Sequence, residues 1–465
     1  MAINPEIIDQ LRQQLGADKL LTETADCLAY GYDNSRLKAL PDLVVFPESH
    51  DDVVTIVQLC AREKIPLTTR GRGTGTTGAT VPTQGGIVLS TERMKRILEV
   101  SPDDRLMVVE PGVTNQAVQD AAAQHGFFWP PDPTSAAVCT IGGNLAYNSA
   151  GPRAVKYGTP REHTLGLRAV TGSGEEIRTG TRTTKGVVGY DFTRLLIGSE
   201  GSLAVITEAT LKLTPLPECK RTFQAIYADI GAASRAVSRI MAQPVVPCAL
   251  EFIDGAAIEM VRQYSQAELP EKAGALLMIE IDGPASAMPE MQKAISDAAS
   301  GDGLIRLKSA DTAEEVSTLW ATRKALSPAL RNVAPKKINE DVVVPVSQIP
   351  TLIEGLEGLA TQHALTIVNF GHAGNGNIHV NLLVNPDDQA QLARAETCLD
   401  AVFSLVLKLG GTLSGEHGIG LVKQAFLNRE LEPVTLRLMH DVKQAFDPHN
   451  ILNPDKSSKL ITKKT

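Results

Sequence analysis

The sequence of 465 residues has no excess of basic charge: 45 Lys and Arg stand against 53 Asp and Glu, a formal net charge of −8. Phosphate-rich partners need a basic face, so nucleic acid is not expected as a partner. No apolar run is long enough to span a bilayer, so no transmembrane segment is expected either. The opening stretch MAINPEIIDQLRQQLG lacks a basic start followed by an apolar block, which argues against a secretion signal. Cysteine is sparse: Cys27, Cys60, Cys139, Cys219, Cys248 and Cys398 are scattered, with no C-x-x-C pair. That spacing excludes a ferredoxin-like cluster and speaks against a disulfide framework. There is no internal repeat and no low-complexity segment. A reducing cytoplasm is the expected compartment, with peripheral attachment to the inner face of the membrane as the alternative.

What is present is ordinary globular material, 43% hydrophobic and 21% charged, in a length of about three typical domains. Residues 6–16 read as a short amphipathic helix ending at Gly16. A β-α-β unit follows: a strand at Leu43–Phe46, a helix with capping-box spacing from Ser49 to Asp52, and a strand at Ile65–Thr69. Short strands broken by Gly, Pro, Asn and Ser continue to about Leu213, and Thr214-Pro-Leu-Pro217 marks a boundary. Beyond it, residues 222–284 read as strand–helix–strand. A polar helix is expected over 311–331, an apolar VVVP stretch follows at 342–345, and another helix over 349–365. This alternation predicts an α+β fold with an antiparallel sheet in the second part. The last ~40 residues read as helical, closing on Phe446-Asp-Pro-His-Asn-Ile-Leu-Asn-Pro454, and the tail LITKKT is expected to fray.

The stretch Arg70-Gly-Arg-Gly-Thr-Gly-Thr-Thr-Gly78 contains G-x-G-x-x-G, yet no amphipathic helix opens inside it, so it fails as a Rossmann fingerprint. Glycines at this density still let backbone N–H groups converge on a phosphate. Two further clusters, Pro130–Ser135 with Ile141–Gly151 and Gly198–Ile206, again combine glycines with short polar side chains. Three such segments suit a long ligand lying against backbone.

Val368–Leu383 is strand-like on both sides of Asn375-Gly376, the strongest short hairpin signal. A two-residue turn there would set His372 opposite His379 and Phe370 opposite Asn381. Both imidazoles could then reach one ion, the competing reading being a pair of structural histidines. Leu413-Ser-Gly-Glu-His-Gly-Ile-Gly420 adds a carboxylate and a third imidazole on a glycine-flanked loop. His, His and Glu form a sensible donor set for a divalent ion with open positions.

The ordered set RGRGTGTTG, PDP-S, IGGN-A-N--G and GSEG-L--I resembles the vanillyl-alcohol-oxidase (PCMH-type) superfamily of FAD-binding oxidoreductases. With the C-terminal motifs it is similar to the glycolate oxidase FAD subunit, D-lactate dehydrogenase and D-2-hydroxyglutarate dehydrogenase subfamily. The resemblance implies a two-part PCMH-type FAD-binding domain over 1–217, its core about 38–216. It further implies an α+β cap domain with the metal site over 218–424, and a C-terminal helical segment, 425–465, returning to the FAD domain.

In the first glycine loop the implied cofactor contacts are Arg70, Gly71, Arg72, Gly73, Thr74, Gly75, Thr77 and Gly78. Pro131, Asp132, Ser135, Gly142, Gly143, Asn144, Asn148 and Gly151 follow in the second cluster, with Glu200, Gly201, Ile206 and Asn453 further on. The first loop has no histidine, so the FAD is expected to be non-covalent. His372, His379 and Glu416 match the metal ligands, with Zn2+ first and Mn2+ or Fe2+ as alternatives. His417 matches the general base and Arg323 the substrate-carboxylate arginine, and Asn381 completes the substrate contacts.

The implied reaction is FAD-dependent oxidation of a short D-2-hydroxy acid, D-lactate first and glycolate second. D-2-hydroxyglutarate oxidation and a flavin electron-transfer subunit stand as alternatives. Without cluster cysteines, electrons must pass to a separate acceptor: a quinone, a cytochrome, an electron-transferring flavoprotein or an iron–sulfur subunit. Two positions depart from the family pattern. Asn375 stands where Asp is usual, and Asn339 where dicarboxylate-specific relatives tend to carry lysine, although Lys336 and Lys337 are close by. A metallohydrolase is disfavoured because H-E-x-x-H is absent and three glycine clusters would have no role.

Overall fold

Capping chemistry starts the chain's helices where side chains can satisfy the first backbone N–H groups. In the computed structural model, which describes residues 3–264, 269–310 and 312–456, Asn4 caps the helix Pro5–Leu15, and Gly16 ends it at φ 102°. Ser49 caps His50–Glu63, its Oγ accepting from Asp52 N at 3.1 Å. The return arm of a capping box differs from expectation. Asp52, a methylene shorter than glutamate, accepts instead from Glu48 N at 2.9 Å and from the Lys19 ammonium at 2.9 Å. The tail LITKKT lies outside the described residues.

The chain divides into two compact units. The first comprises Met1–Gly151, Gly158–Leu216 and Glu416–Thr465, the second Pro152–Tyr157 and Pro217–Gly415. In the first unit, β1 (Leu20–Leu21), β2 (Leu43–Val45), β3 (Leu67–Arg70) and β4 (Ile87–Ser90) form a sheet in the order β1-β2-β4-β3. Its β2, β4 and β3 are parallel and β1 antiparallel. Val53, Ile56, Val57 and Cys60 of the helix pack on Leu43, Leu67 and Ile87 in one core. A second sheet contains β5 (Ile97–Ser101) and β6 (Leu106–Val109), while β7 (Phe127–Phe128) pairs elsewhere. It is completed by β8 (Thr164–Thr171), β9 (Glu176–Gly180) and β10 (Ala204–Lys212). This sheet is wholly antiparallel, in the order β5-β6-β10-β8-β9, and β11 (Thr214–Pro215) pairs with β7.

The closing segment after Phe446 is built around a buried ion pair. Lys443 Nζ donates to the Asp447 carboxylate and to the carbonyls of Ser202 and Leu452, while Asp447 accepts from Ile451 N and Leu452 N. That turn delivers Asn453 beside β3, where its Oδ1 accepts from Thr69 N at 2.9 Å.

The second unit is one seven-stranded antiparallel sheet. Its strands are β12 (Cys219–Tyr227), β13 (Ala249–Asp254), β14 (Ala275–Gly283), β15 (Leu304–Ala310), β16 (Lys336–Val343), β17 (Thr366–His372) and β18 (Asn377–Val384). The order is β15-β12-β14-β13-β17-β18-β16. The strand–helix–strand expected over 222–284 holds a further strand, β13, and a helix, Gly255–Tyr264. Leu319, Leu326 and Leu330 of the helix Ala313–Val333 join Ile226, Ile253, Leu276 and Phe370 in one core. Thr312 and Glu315 close a reciprocal capping box at that helix's start.

The histidine hairpin differs from expectation by two residues. His379 lies opposite Phe370 and His372 opposite Asn377, because the turn is Ala373–Gly376, not Asn375-Gly376 alone. A two-residue type I′ turn needs both central residues at positive φ. Only Gly376 takes it, at 75°, and its N–H donates to Ala373 O at 3.0 Å. Because the slip is even, every side chain keeps its face, and the two imidazoles remain diagonal neighbours.

Candidate functional site

In the first unit, glycines clear space against neighbouring side chains. A Cβ on Gly71 would meet Thr140 Oγ1 at 2.5 Å, one on Gly75 would meet Tyr147 Oη at 2.5 Å, and one on Gly142 would meet Pro111 Cβ at 2.7 Å. The space so kept opens as two cavities, both bordered by Gly71, Thr80, Gly143 and Tyr147. The first is also lined by Gly142, Glu200, Gly201, Ile206 and Asn453. The second takes in Arg72, Gly73, Thr74, Gly75, Ser135 and Asn144, together with Glu416 and His417.

The other residues of the first unit with an expected cofactor role, Arg70, Thr77, Gly78, Pro131, Asp132, Asn148 and Gly151, do not line either cavity. The Arg70 guanidinium is buried and donates to Tyr32 O at 2.7 Å. Thr77 holds the His417 loop: its Oγ1 donates to His417 O at 3.2 Å, and its carbonyl accepts from Leu421 N at 2.8 Å. Gly78 sits at φ 82° against Leu421. Pro131 O accepts from Asn115, Asp132 N donates to Ala150 O, and Asn148 Oδ1 accepts from Arg161 N. Gly151 sits at φ 79° and donates its N–H to Glu416 Oε2 at 2.9 Å.

Glu200 is buried at φ 54°. Its carboxylate accepts from Ile419 N and from Gly420 N, the latter at 2.8 Å. Asn453 Nδ2 donates to Glu200 O at 2.6 Å and to Ala79 O at 3.3 Å. Burial, and then the nearby Glu200 charge, push the Tyr147 phenol far above its ordinary value.

In the second unit, one face of the sheet changes from apolar to polar along its strands. Ile226, Leu276, Ile253 and Phe370 occupy its apolar half; Glu280, Glu251, His372 and His379 follow on the same face by register. The rings of His372 and His379 meet edge to face with centroids 5.2 Å apart. Glu251, opposite His372 on β13, binds its Nδ1 in a short hydrogen bond.

On the helix Ala313–Val333, Arg323 donates from Nε to Glu251 Oε2 at 3.3 Å, with its Cζ 4.7 Å from the Phe370 ring centroid. Burial pushes the Glu251 carboxyl up, but His372, Arg323 and His379 outweigh it and hold the group below its ordinary value. Asn381 is fully buried, donating to Val368 O and His379 O while accepting from Asn339 Nδ2 at 2.6 Å.

Sequence reasoning passed over Glu251, Tyr147 and Thr140. Thr140 directly precedes the Ile141–Gly151 cluster and Tyr147 lies within it, and that adjacency was the available signal. Glu251 carried none, since an acidic residue within a short stretch such as Ala249–Asp254 reads as solvated.

The FAD linked oxidases, C-terminal domain, matches residues 216–457, and the FAD binding domain matches residues 41–180. The chain is 38% identical over 456 residues to glycolate oxidase subunit GlcD of Bacillus subtilis, covering 98% of this chain and 97% of that protein. It is 31% identical over 465 residues to D-lactate dehydrogenase of Anaerostipes hadrus, again covering 98% and 97%. Among solved structures, p-cresol methylhydroxylase with substrate bound superposes with a TM-score of 0.78 at 18% identity, over 97% of this chain and 96% of that one. Alkyldihydroxyacetonephosphate synthase gives 0.77 at 21% identity, over 98% and 86%. These last two establish the PCMH-type fold alone. The chain therefore belongs to the FAD-linked oxidases, a family of flavoprotein oxidoreductases.

Proposed function

We propose that this chain oxidises a short D-2-hydroxy acid, D-lactate first and glycolate second, to the corresponding 2-oxo acid. The observation that carries the reading is the buried pair His372 and Glu251 on one sheet face, with the His379 ring against His372 and the half-buried Arg323 reaching Glu251 from the helix Ala313–Val333. It combines imidazoles suited to a cation with a guanidinium suited to a carboxylate. The names of the two relatives, a glycolate oxidase subunit and a D-lactate dehydrogenase, agree with that chemistry.

The glycine-lined cavities of the first unit suit FAD held without a covalent bond. When bound, FAD supplies the acceptor, at N5, for the hydride leaving substrate C2. A divalent ion, Zn2+ first with Mn2+ or Fe2+ as alternatives, would be held by His372, His379 and Glu416 and supply Lewis acidity toward the substrate's carboxylate and hydroxyl. Two observations support this donor set. The Glu251 bond to His372 Nδ1 is the outer partner that a metal-bound histidine commonly has. Gly415, the covalent neighbour of Glu416, donates its N–H to Asp341 Oδ2 at 2.9 Å, and Asp341 lies opposite His379.

The chain's own residues then do the following. Arg323 binds the substrate carboxylate, and Asn381 orients the hydroxy acid. His417 takes the proton from the 2-hydroxyl oxygen, on a loop tied to Thr77 and Glu200. The Asn339–Asn381 amide pair presents no charge for a second carboxylate, which supports a monocarboxylate over D-2-hydroxyglutarate. With no C-x-x-C pair for a cluster, the electrons go on to a separate acceptor.

Dye-linked turnover tests the reading: purified protein with added FAD is offered D-lactate, L-lactate, glycolate and D-2-hydroxyglutarate, before and after chelation. The expected order is D-lactate, then glycolate, with loss on chelation and recovery on adding Zn2+ or Mn2+. Turnover of L-lactate alone, or turnover indifferent to the chelator, would contradict it.

A further inference from the structure

Glu251 is almost wholly buried, its side chain 2% exposed, and its carboxylate serves two groups at once. One oxygen binds His372 Nδ1 across the β13–β17 pair, and the other accepts from Arg323 Nε at 3.3 Å. We infer that Glu251 is a positioning residue that sets the imidazole of His372 and the guanidinium of Arg323 together, so that ion affinity and substrate-carboxylate affinity depend on one side chain. The inference rests on the proposed roles of His372 as an ion ligand and Arg323 as the carboxylate binder.

On the histidine side, the Nδ1 proton directed at Glu251 fixes the tautomer, so coordination falls to Nε2, and the carboxylate raises the ring's basicity. On the arginine side, engagement of Nε leaves substrate binding to the terminal nitrogens. The guanidinium plane is further held by Phe370, 4.7 Å from Cζ, and Phe370 is the strand partner of His379. Each group also limits the other, because the same carboxylate cannot move toward one without releasing the other.

Glu280 provides a matched comparison. It too is buried on this face, but it accepts from Thr222 Oγ1 at 3.0 Å and from Trp320 Nε1 at 2.9 Å and contacts no histidine in these bonds.

The test is a Mn2+ titration of the FAD-loaded, substrate-free protein, followed by KM for D-lactate at saturating Mn2+. Glu251→Gln is expected to weaken Mn2+ binding about 10- to 100-fold, with the flavin spectrum unchanged, while Glu280→Gln binds as wild type. Glu251→Asp, which keeps the charge at shorter reach, is expected to fall between wild type and Glu251→Gln, and it serves if Glu251→Gln does not fold. Glu251→Gln should also raise KM, but not further in an Arg323→Ala background. Wild-type Mn2+ affinity in Glu251→Gln, or equal weakening in Glu251→Gln and Glu280→Gln, would overturn the inference. A wild-type protein that binds no Mn2+, Zn2+ or Fe2+ would instead overturn the ion reading beneath it, and the inference with it.

Discussion

Glu251 and His372 face each other across adjacent antiparallel strands, carboxylate to imidazole Nδ1, in a place where burial alone would disfavour both charges. Their pairing satisfies both buried groups, and it holds the His372 imidazole on the sheet face that carries His379.

Replacing His379 separates the two kinds of chemistry, because it lies in the second unit and the glycine cradle lies in the first. His379→Ala is expected to retain full flavin content while losing kcat/KM for D-lactate by about 100-fold or more, ~2.7 kcal/mol of transition-state stabilisation. Flavin absorbance per protein and steady-state turnover, measured on the same preparation, check this.

The cradle itself is tested at Gly71, where a methyl group would displace Thr140 Oγ1 from the N–H of Gly143 that it caps at 3.3 Å. Overpacking of this kind costs about 1–3 kcal/mol. Gly71→Ala should therefore weaken FAD binding roughly 5- to 150-fold, read by titrating FAD into the flavin-free protein and following its fluorescence.

The hairpin turn yields a contrast between neighbours. A Cβ on Gly376 would collide with Val344 O, and its φ of 75° is unfavourable for alanine, whereas Asn375 is exposed and has no positive φ. Gly376→Ala is expected to cost about 1–3 kcal/mol in denaturant unfolding. Asn375→Ala should change it by less than about 0.5 kcal/mol.

Much of this architecture was legible from sequence, and the exceptions have physical causes. Capping and periodicity located the helix His50–Glu63, the stretch 349–365 read as a helix where Ile349–His363 forms, and the failure of any helix to open within the first glycine loop separated it from a Rossmann turn. The hairpin was legible as a hairpin, and its register was not, because Asn-Gly chemistry suggests a two-residue turn and the chain uses four residues with one positive φ. Strand β13 escaped because Glu251 interrupts its apolar pattern. The residue that hides the strand is the one that binds His372, and such a carboxylate is explicable only once its partners from β17 and the helix Ala313–Val333 are known.

A pH dependence follows from Lys456, whose ammonium is buried beside Thr68 Oγ1 at 3.4 Å. Burial lowers its pKa to about 7, against partial compensation from Asp33, Glu200 and Asp455. With the folded value depressed, the lysine's contribution to stability is fully present above the unfolded pKa near 10.5 and is lost as pH falls through about 7. Lys456→Met should therefore stabilise the protein most at pH 7, with the advantage shrinking by up to about 1.4 kcal/mol per pH unit as pH rises. Unfolding midpoints of both proteins at saturating FAD from pH 7 to 10 measure it, and a constant difference would contradict the assignment.

Oxidation of D-2-hydroxy acids by the bound flavin is read from the visible spectrum of the FAD-loaded protein, recorded without oxygen before and after adding D-lactate, L-lactate or glycolate. The flavin band is expected to bleach rapidly with D-lactate, more slowly with glycolate, and not with L-lactate. A band that none of these hydroxy acids bleaches, with the divalent ion supplied, would contradict it.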